Sequence, residues 1–368
     1  MRIDPMRIDW LLSVRERLPP FLASLRRGDQ PGAYNPCPHG SILAGEQASL
    51  GFSCFAKKIL DALGLWESLP EGERNAWLEF IRAYQRPDGT FVDPALLAGI
   101  ARPVPTWRAR LKRRLKGQAI PDPITDAILA ETKQAIATLA ASGQSPRYPY
   151  AGFPHDALAL ENRLKSLDWH HPWSAGAKTA ILALFVQSQG PRLPEVDTPL
   201  LRQTLIRFLA SKADPESGAY FAPPTPPARG QLINGAMKVL NALEWLEEPI
   251  HHPERLIDTC LLQGPPPAGC HVVDWIYVLH RAARQTGHRR AEIEGHLVDI
   301  MDRIRLHQAA DGGFSYLPGQ AQSGYYGATI SRGLNEGDIH GTCLLTWGLA
   351  MCVELLAWDL PGWKPFRA

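Results

Sequence analysis

A glycine-rich turn carrying an aromatic residue recurs along this chain. It reads Gln85-Arg-Pro-Asp-Gly-Thr-Phe at 85–91, Asp214-Pro-Glu-Ser-Gly-Ala-Tyr-Phe at 214–221 and Gln308-Ala-Ala-Asp-Gly-Gly-Phe at 308–314. Each copy follows a helical pattern. After the last one, a loop through Gly324-Tyr-Tyr-Gly delivers the polar run Gly337-Asp-Ile-His-Gly-Thr-Cys to the start of an apolar helix. Recurrence of one supersecondary unit confines the chain to repeat architectures, in which each unit completes its core against its neighbours.

The helical patterns between the turns are of two kinds. Leu43–Leu63, Ser174–Gln189, Gln231–Leu246, Val272–Arg284 and Thr342–Leu356 are apolar on nearly every face. Trp10–Leu25, Glu73–Tyr84, Pro199–Lys212, Pro253–Leu262 and Ala291–Gln308 have one charged face. Thr125–Ala141 and the shorter Pro154–Leu167 add to the series, as does Pro94–Lys116, which Pro103 and Pro105 interrupt. An all-round apolar helix must be buried, whereas a one-faced helix can lie outside. About six of each kind, alternating with a period of roughly 50 residues, predict an all-α fold. The expected architecture is a single (α/α)6 toroid over residues 1–368, six inner helices within six outer ones, closed by Trp10–Leu25 pairing with the last inner helix. No alternating strand pattern stands out.

A 45% apolar composition with 21% charged residues supports a sizeable core and excludes general disorder. The net charge of +2 is too balanced for a nucleic-acid-binding surface, and no apolar run approaches the ~20 residues of a membrane span. The start lacks the apolar segment of a secretory signal. Six scattered cysteines without Cys-x-x-Cys pairing read as free thiols in a reducing compartment, so a cytoplasmic protein is expected.

Chemistry-bearing residues gather where apolar helices begin. Gly269-Cys-His-Val-Val-Asp-Trp supplies Cys270, His271 and Asp274, with Cys270 and Asp274 on one helix face. The run at 337–343 supplies Asp338, His340 and Cys343, and Asp338 is also placed to cap its helix. Asp168, His170 and His171 precede another apolar helix, and Cys37 and His39 lie in an early loop. Trp169, Trp173, Trp275, Tyr277, Tyr325, Tyr326 and Trp347 accompany them, as core filling or as faces that stabilise cations. Cys343 and Cys352 sit within an apolar helix as small core residues. Arg102–Lys116 is strongly basic: a solvated face, or a contact for phosphate, an anionic polysaccharide or a membrane surface.

The Gln308-Ala-Ala-Asp-Gly-Gly-Phe run resembles the repeat of squalene and oxidosqualene cyclases and of protein prenyltransferase β subunits. The turn at 85–91 matches it well and that at 214–221 loosely. The resemblance implies the toroid, with a cavity inside the ring lined by inner-helix starts and the loops before them. It implies a cyclase-like enzyme for a small isoprenoid or similarly apolar substrate, needing no cofactor. Asp274 would be the acid, with Cys270, His340 and Asp338 around it, and Trp275, Tyr325, Tyr326, Trp347, Trp173 and His171 would shape the pocket. Val272-Val-Asp-Trp is similar to the Val-Ser-Asp-Cys motif of oxidosqualene cyclases but lacks its cysteine, and Asp-x-Asp-Asp is absent.

The prenyltransferase side of the resemblance implies zinc instead, held by Cys270, Asp274 and His340. Asp338-Ile-His-Gly-Thr-Cys resembles the Asp-Phe-Tyr-His-Thr-Cys around that family's zinc histidine, with His340 one position early and Ile276 where a cysteine would stand. Toroids of this kind also host polysaccharide lyases and glycoside hydrolases, for which Asp338, His340 and Tyr326 would do acid–base work. A non-catalytic binding toroid is the fourth reading.

Overall fold

A computed structural model of the chain describes residues 5–100, 122–223 and 225–367. In chain order its helices are α1 (Pro5–Leu25), α2 (Leu43–Gln47), α3 (Leu50–Ala62), α4 (Glu71–Arg82), α5 (Pro94–Gly99), α6 (Pro123–Ala140) and α7 (Ala157–Lys165). They continue with α8 (Pro172–Gln189), α9 (Thr198–Ala210), α10 (Arg229–Trp245), α11 (Pro253–Gln263), α12 (Cys270–Ala283), α13 (Arg290–Arg305) and α14 (Ile339–Leu355). α3, α6, α8, α10, α12 and α14 each pack on the next, and α14 returns to α3, closing an inner ring. α1, α4, α7, α9, α11 and α13 surround it. The fold is an all-α (α/α)6 toroid.

Burial follows the two sequence classes. α3 and α14 are buried along most of their length, whereas α4 buries only Trp77, Leu78 and Ile81. The repeated turns are equivalent in structure. Gln85 pairs with Phe91, Ala213 with Tyr220 and Gln308 with Phe314, each by a single antiparallel backbone bridge. Phe91, Tyr220 and Phe314 are fully buried. Gly89, Gly218 and Gly312 hold φ of +83°, +71° and +96°, a region open to glycine at little cost. A hydroxyl of the following inner helix receives the turn, Thr132 Oγ1 from Phe91 N at 3.0 Å and Thr342 Oγ1 from Phe314 N at 2.9 Å.

In the first and last turns a glutamine ties the unit to a neighbouring one. Gln85 Oε1 accepts from Arg147 N and Tyr148 N at 2.7 and 3.1 Å, and Gln308 Oε1 accepts from Trp10 Nε1 at 2.8 Å. Arg7 also pairs with Asp302 at 2.7 Å, and Arg17 donates to Ala310 O at 2.9 Å. Thus α1 is an outer helix beside α13 and the last turn, and the inner ring closes through α3 rather than through the Trp10–Leu25 segment.

Three further details differ from expectation. The Leu43–Leu63 pattern breaks between α2 and α3 because Asp93 Oδ2 accepts from both Ser49 N (2.6 Å) and Leu50 N (3.0 Å), capping α3 from outside. Gly324–Tyr325 and Ala328–Thr329 form a small antiparallel hairpin, too short for alternation to reveal. The helical pattern from Pro94 ends at Gly99 in α5, and the basic stretch Arg102–Lys116 lies outside the described residues. All six cysteines are free, and among the described residues no helix is long and apolar enough to cross a membrane.

Candidate functional site

The inner helices present their N-termini at one end of the ring. Asn234 of α10 stands 2.6 Å from His271 Nδ1 of α12, and Trp173 N at the start of α8 donates to Gln231 Oε1 of α10 at 3.4 Å. The loop before α14 spans the same end. Its Tyr316 hydroxyl hydrogen-bonds the Cys270 thiol on α12, and its Tyr325 hydroxyl donates to Glu131 Oε1 on α6 at 3.1 Å. Gly51 makes room for the second contact, since a Cβ there would lie 2.2 Å from the Tyr325 hydroxyl.

His340, in the first turn of α14, lies flat between Phe55 (ring centroids 4.5 Å apart) and Tyr316 (5.6 Å). Its Nδ1 is held by Gln322 Oε1. Burial, reinforced by the fields of Lys238 and Lys58, pushes its pKa down to about 3, so the ring is neutral at physiological pH. With Nδ1–H donated to the carboxamide oxygen, Nε2 carries a free lone pair.

Three lysines stand on inner helices. Lys58 comes from α3, Lys133 from α6 and Lys238 from α10, helices that include opposite sides of the ring. Burial first, and then the charges of Lys58 and Lys238, push Lys133 well below the ordinary lysine range, with Glu244 pulling the other way, while Lys238 Nζ lies 5.9 Å from the Trp173 ring and Lys58 Nζ 5.5 Å from the Phe366 ring. Among the described residues no carboxylate forms an ion pair with any of them.

Two carboxylates on inner helices are raised by burial and keep one oxygen without a hydrogen-bond partner. Burial, aided by Asp93, pushes Glu131 up to about 8, and its Oε2 has no hydrogen-bond partner. Burial also raises Asp274 against the pull of Lys238 and His271, and Asp274 Oδ2 is likewise unpartnered. Burial raises Asp338 as well, to about 6, but its oxygens are committed to backbone. Oδ1 caps α14 through Gly341 N at 2.7 Å, and Oδ2 accepts from Tyr316 N at 2.7 Å and Gln322 N at 3.0 Å. It is the anchor of the loop, an assignment its helix-cap position already offered.

The remaining sequence candidates separate. Cys270 and Asp274 gather with His271, one ligand atom from each lying within 4.8 Å of the others, and His340 is not part of that group. Trp275 is buried outward, its Nε1 donating to Cys260 O of α11 at 3.0 Å. Trp347 lies deep in α14, stacked on Phe366 at 5.0 Å and donating to its carbonyl at 3.0 Å, so it closes the far end instead of lining the mouth. Trp173 and Tyr326 are exposed, the first with Lys238 Nζ 5.9 Å from its ring and the second at the hairpin tip with φ +44°. Exposed His171 is tied by Nδ1 to Asp168 Oδ2 at 2.9 Å. Sequence reasoning passed over Lys58, Lys133, Lys238, Glu131 and Tyr316. The available signal was a charged residue inside a helix whose other faces are apolar, which in a ring points to the lumen.

No family model matches the chain, and no curated protein sequence matches it significantly. Solved structures similar in fold include a polysaccharide lyase (11% identity, 95% of this chain and 98% of that one, TM-score 0.48). A glycosyl hydrolase of family 88 from Bacteroides vulgatus is similar at 12% identity, 95% and 99% coverage and TM-score 0.47. A GH76 α-mannanase from Bacteroides thetaiotaomicron is similar at 10% identity, 95% and 96% coverage and TM-score 0.42. None of these three is a terpenoid cyclase or a prenyltransferase, and similarity of fold at such identity carries no chemistry with it.

Proposed function

We propose that this toroid is a carbohydrate-active enzyme that binds an anionic sugar, a uronate, inside the ring and cleaves it by elimination. The observation that supports the reading is that Lys58, Lys133 and Lys238, on three inner helices, form no ion pair with a carboxylate among the described residues, and that the charges of Lys58 and Lys238 reach both Lys133 and neutral His340. Burial and like charges disfavour the protonated form of Lys133, and a bound carboxylate would relieve that cost. The same lysines count against cyclase chemistry, because a carbocation formed in the ring would face ammonium groups.

The elimination follows from this arrangement. A uronate carboxylate paired with the lysines makes the neighbouring C5 proton more acidic, and His340 Nε2 takes that proton. The electron pair forms the C4–C5 double bond as the C4–O4 bond breaks, and the departing oxygen takes a proton from the Tyr316 hydroxyl. His340 is a weak base in the free enzyme because of burial first and then the charges of Lys238 and Lys58. The substrate's charge offsets those fields, so the base strengthens when a substrate is in place.

Glutamate 131 favours a second reading, hydrolysis with Glu131 as general acid, because it is protonated at neutral pH and Oε2 is free to donate. One experiment separates the readings. Uronate oligosaccharides and neutral oligosaccharides of matched length are incubated with the wild type and with Lys238→Met, His340→Asn and Glu131→Gln. Elimination gives a conjugated product detected by ultraviolet absorption, lost in His340→Asn; hydrolysis gives a saturated product, lost in Glu131→Gln. Neutral sugars binding as tightly as uronates, or full uronate binding by Lys238→Met, would overturn the anionic-sugar reading.

A further inference from the structure

We propose that Cys270, His271 and Asp274 form a zinc site at the first turn of α12, with a fourth coordination position open to a neighbouring pocket. The three residues stand at i, i+1 and i+4 of one helix, and one ligand atom of each lies within 4.8 Å of the other two. A tetrahedral zinc with donors at 2.0–2.3 Å needs them about 3.5 Å apart. That closure is of the size side-chain rotation supplies. Thiolate, imidazole and carboxylate together suit zinc better than the harder magnesium or calcium.

Two independent features point to a ligand there. Asp274 is only 4% exposed and its Oδ2 has no hydrogen-bond donor, a cost that calls for a counterpart and that a cation supplies. The Asn234 amide nitrogen stands 2.6 Å from His271 Nδ1, and turning the carboxamide end for end puts its oxygen there instead, the contact that fixes a metal-bound imidazole through its second nitrogen. With the carboxamide oxygen turned to Nδ1–H, Nε2 is left to coordinate. Burial and the charge of Asp274 raise the Cys270 thiol, with Tyr316 pulling the other way, so a metal bound there would displace the thiol proton.

A pocket of about 160 Å³, lined by His271, Asn234, Gln263 and Trp275 among others, adjoins the site. Gln263 Oε1 in its wall also lacks a partner. Three protein ligands with one open position is the arrangement of reactive rather than purely structural zinc. Lys238 opposes the metal, since its charge acts on both Cys270 and Asp274. Lys238→Met therefore tightens zinc binding.

The test needs no sugar, so its outcome is separate from that of the elimination reading. Cys270 is the one partly exposed cysteine and the other five are buried, so alkylation of the folded chain by iodoacetamide reports on Cys270. Full-length protein is stripped with a chelator and titrated with zinc or cobalt(II). One equivalent of zinc slows Cys270 alkylation at least tenfold, and cobalt gives a thiolate charge-transfer band that Cys270→Ser abolishes. His271→Ala and Asp274→Asn each weaken binding at least tenfold. Failure to retain a stoichiometric metal, an unchanged alkylation rate, or an unchanged cobalt spectrum in Cys270→Ser would overturn the site. Should a variant not fold, protection of Cys270 in the wild type decides the matter alone.

Discussion

Trp10 Nε1 donates a 2.8 Å hydrogen bond to Gln308 Oε1, joining the first outer helix to the last repeat turn across 298 residues. The glutamine at the corresponding place in the first turn holds the segment leading to its neighbouring outer helix. One contact type therefore serves both between successive units and at the closure. Trp10→Phe keeps most of the apolar contact and removes only the donor, leaving Gln308 Oε1 unsatisfied. The expected cost is about 1 kcal/mol, a fall of roughly 2 °C in melting temperature for a chain of this size. Calorimetry checks it, and an unchanged melting temperature would show that closure does not depend on this bond.

Asp338 links the cap of α14 to the loop that carries Tyr316 and Gln322. In Asp338→Asn, an amide NH₂ must face one of the backbone N–H groups that the carboxylate now satisfies. A loss of about 1–3 kcal/mol follows. Because Gln322 holds His340, the His340 imidazole resonance should shift in the variant as well. Loss of stability with an unmoved His340 signal would separate the cap from the site.

Glu131 and His340 give stability opposite slopes with pH. Glu131 is near 8 in the fold against about 4.3 when unfolded. Between those values the folded chain keeps the proton, so this contribution is whole below about 4.3 and is lost as pH rises through 8. His340 is near 3 in the fold against about 6.5 unfolded. Its contribution is whole above about 6.5 and is lost as pH falls toward 3. Glu131→Gln should flatten the alkaline limb of the stability curve and His340→Asn the acid limb, as read by denaturant midpoints across pH. Either variant with the wild-type slope would show that burial of that group is not what sets it.

Phe366 closes the far end of the ring, stacked on Trp347, with Lys58 Nζ 5.5 Å from its ring and Lys364 N bonded to Ala62 O at 3.0 Å. It is only half-buried, so Phe366→Ala should cost less than a core truncation, about 1–2 kcal/mol. Quenching of tryptophan fluorescence by acrylamide should rise as Trp347 loses its cover. No gain in quenching would place the tail's contribution elsewhere.

Much of the fold was legible because it rests on periodicity. The contrast between Thr342–Leu356, apolar all round, and Ala291–Gln308, charged on one face, states which helix lies inside. The turn at 308–314 states where one unit ends. Asp338 could be read as a cap because a cap depends only on its own few residues. The break at Ser49 could not, since Asp93 makes it from 44 residues away.

The site was legible in part. Cys270 and Asp274 share a face of one helix, which the four-residue spacing already dictates. That His271 and not His340 joins them depends on the rotation of α12 and on Asn234 of α10. Trp347 and Trp275 carry the same aromatic signature as Tyr325, yet only packing sends one to the closed end, another outward and the third to Glu131. Sequence alone determined which segments are helices and which of them are inner, because those depend on hydrophobic pattern along the chain. Tertiary structure alone decided that the charges of Lys58 and Lys238 act together on Lys133 and His340, because residues on separate helices share one interior only when the ring closes.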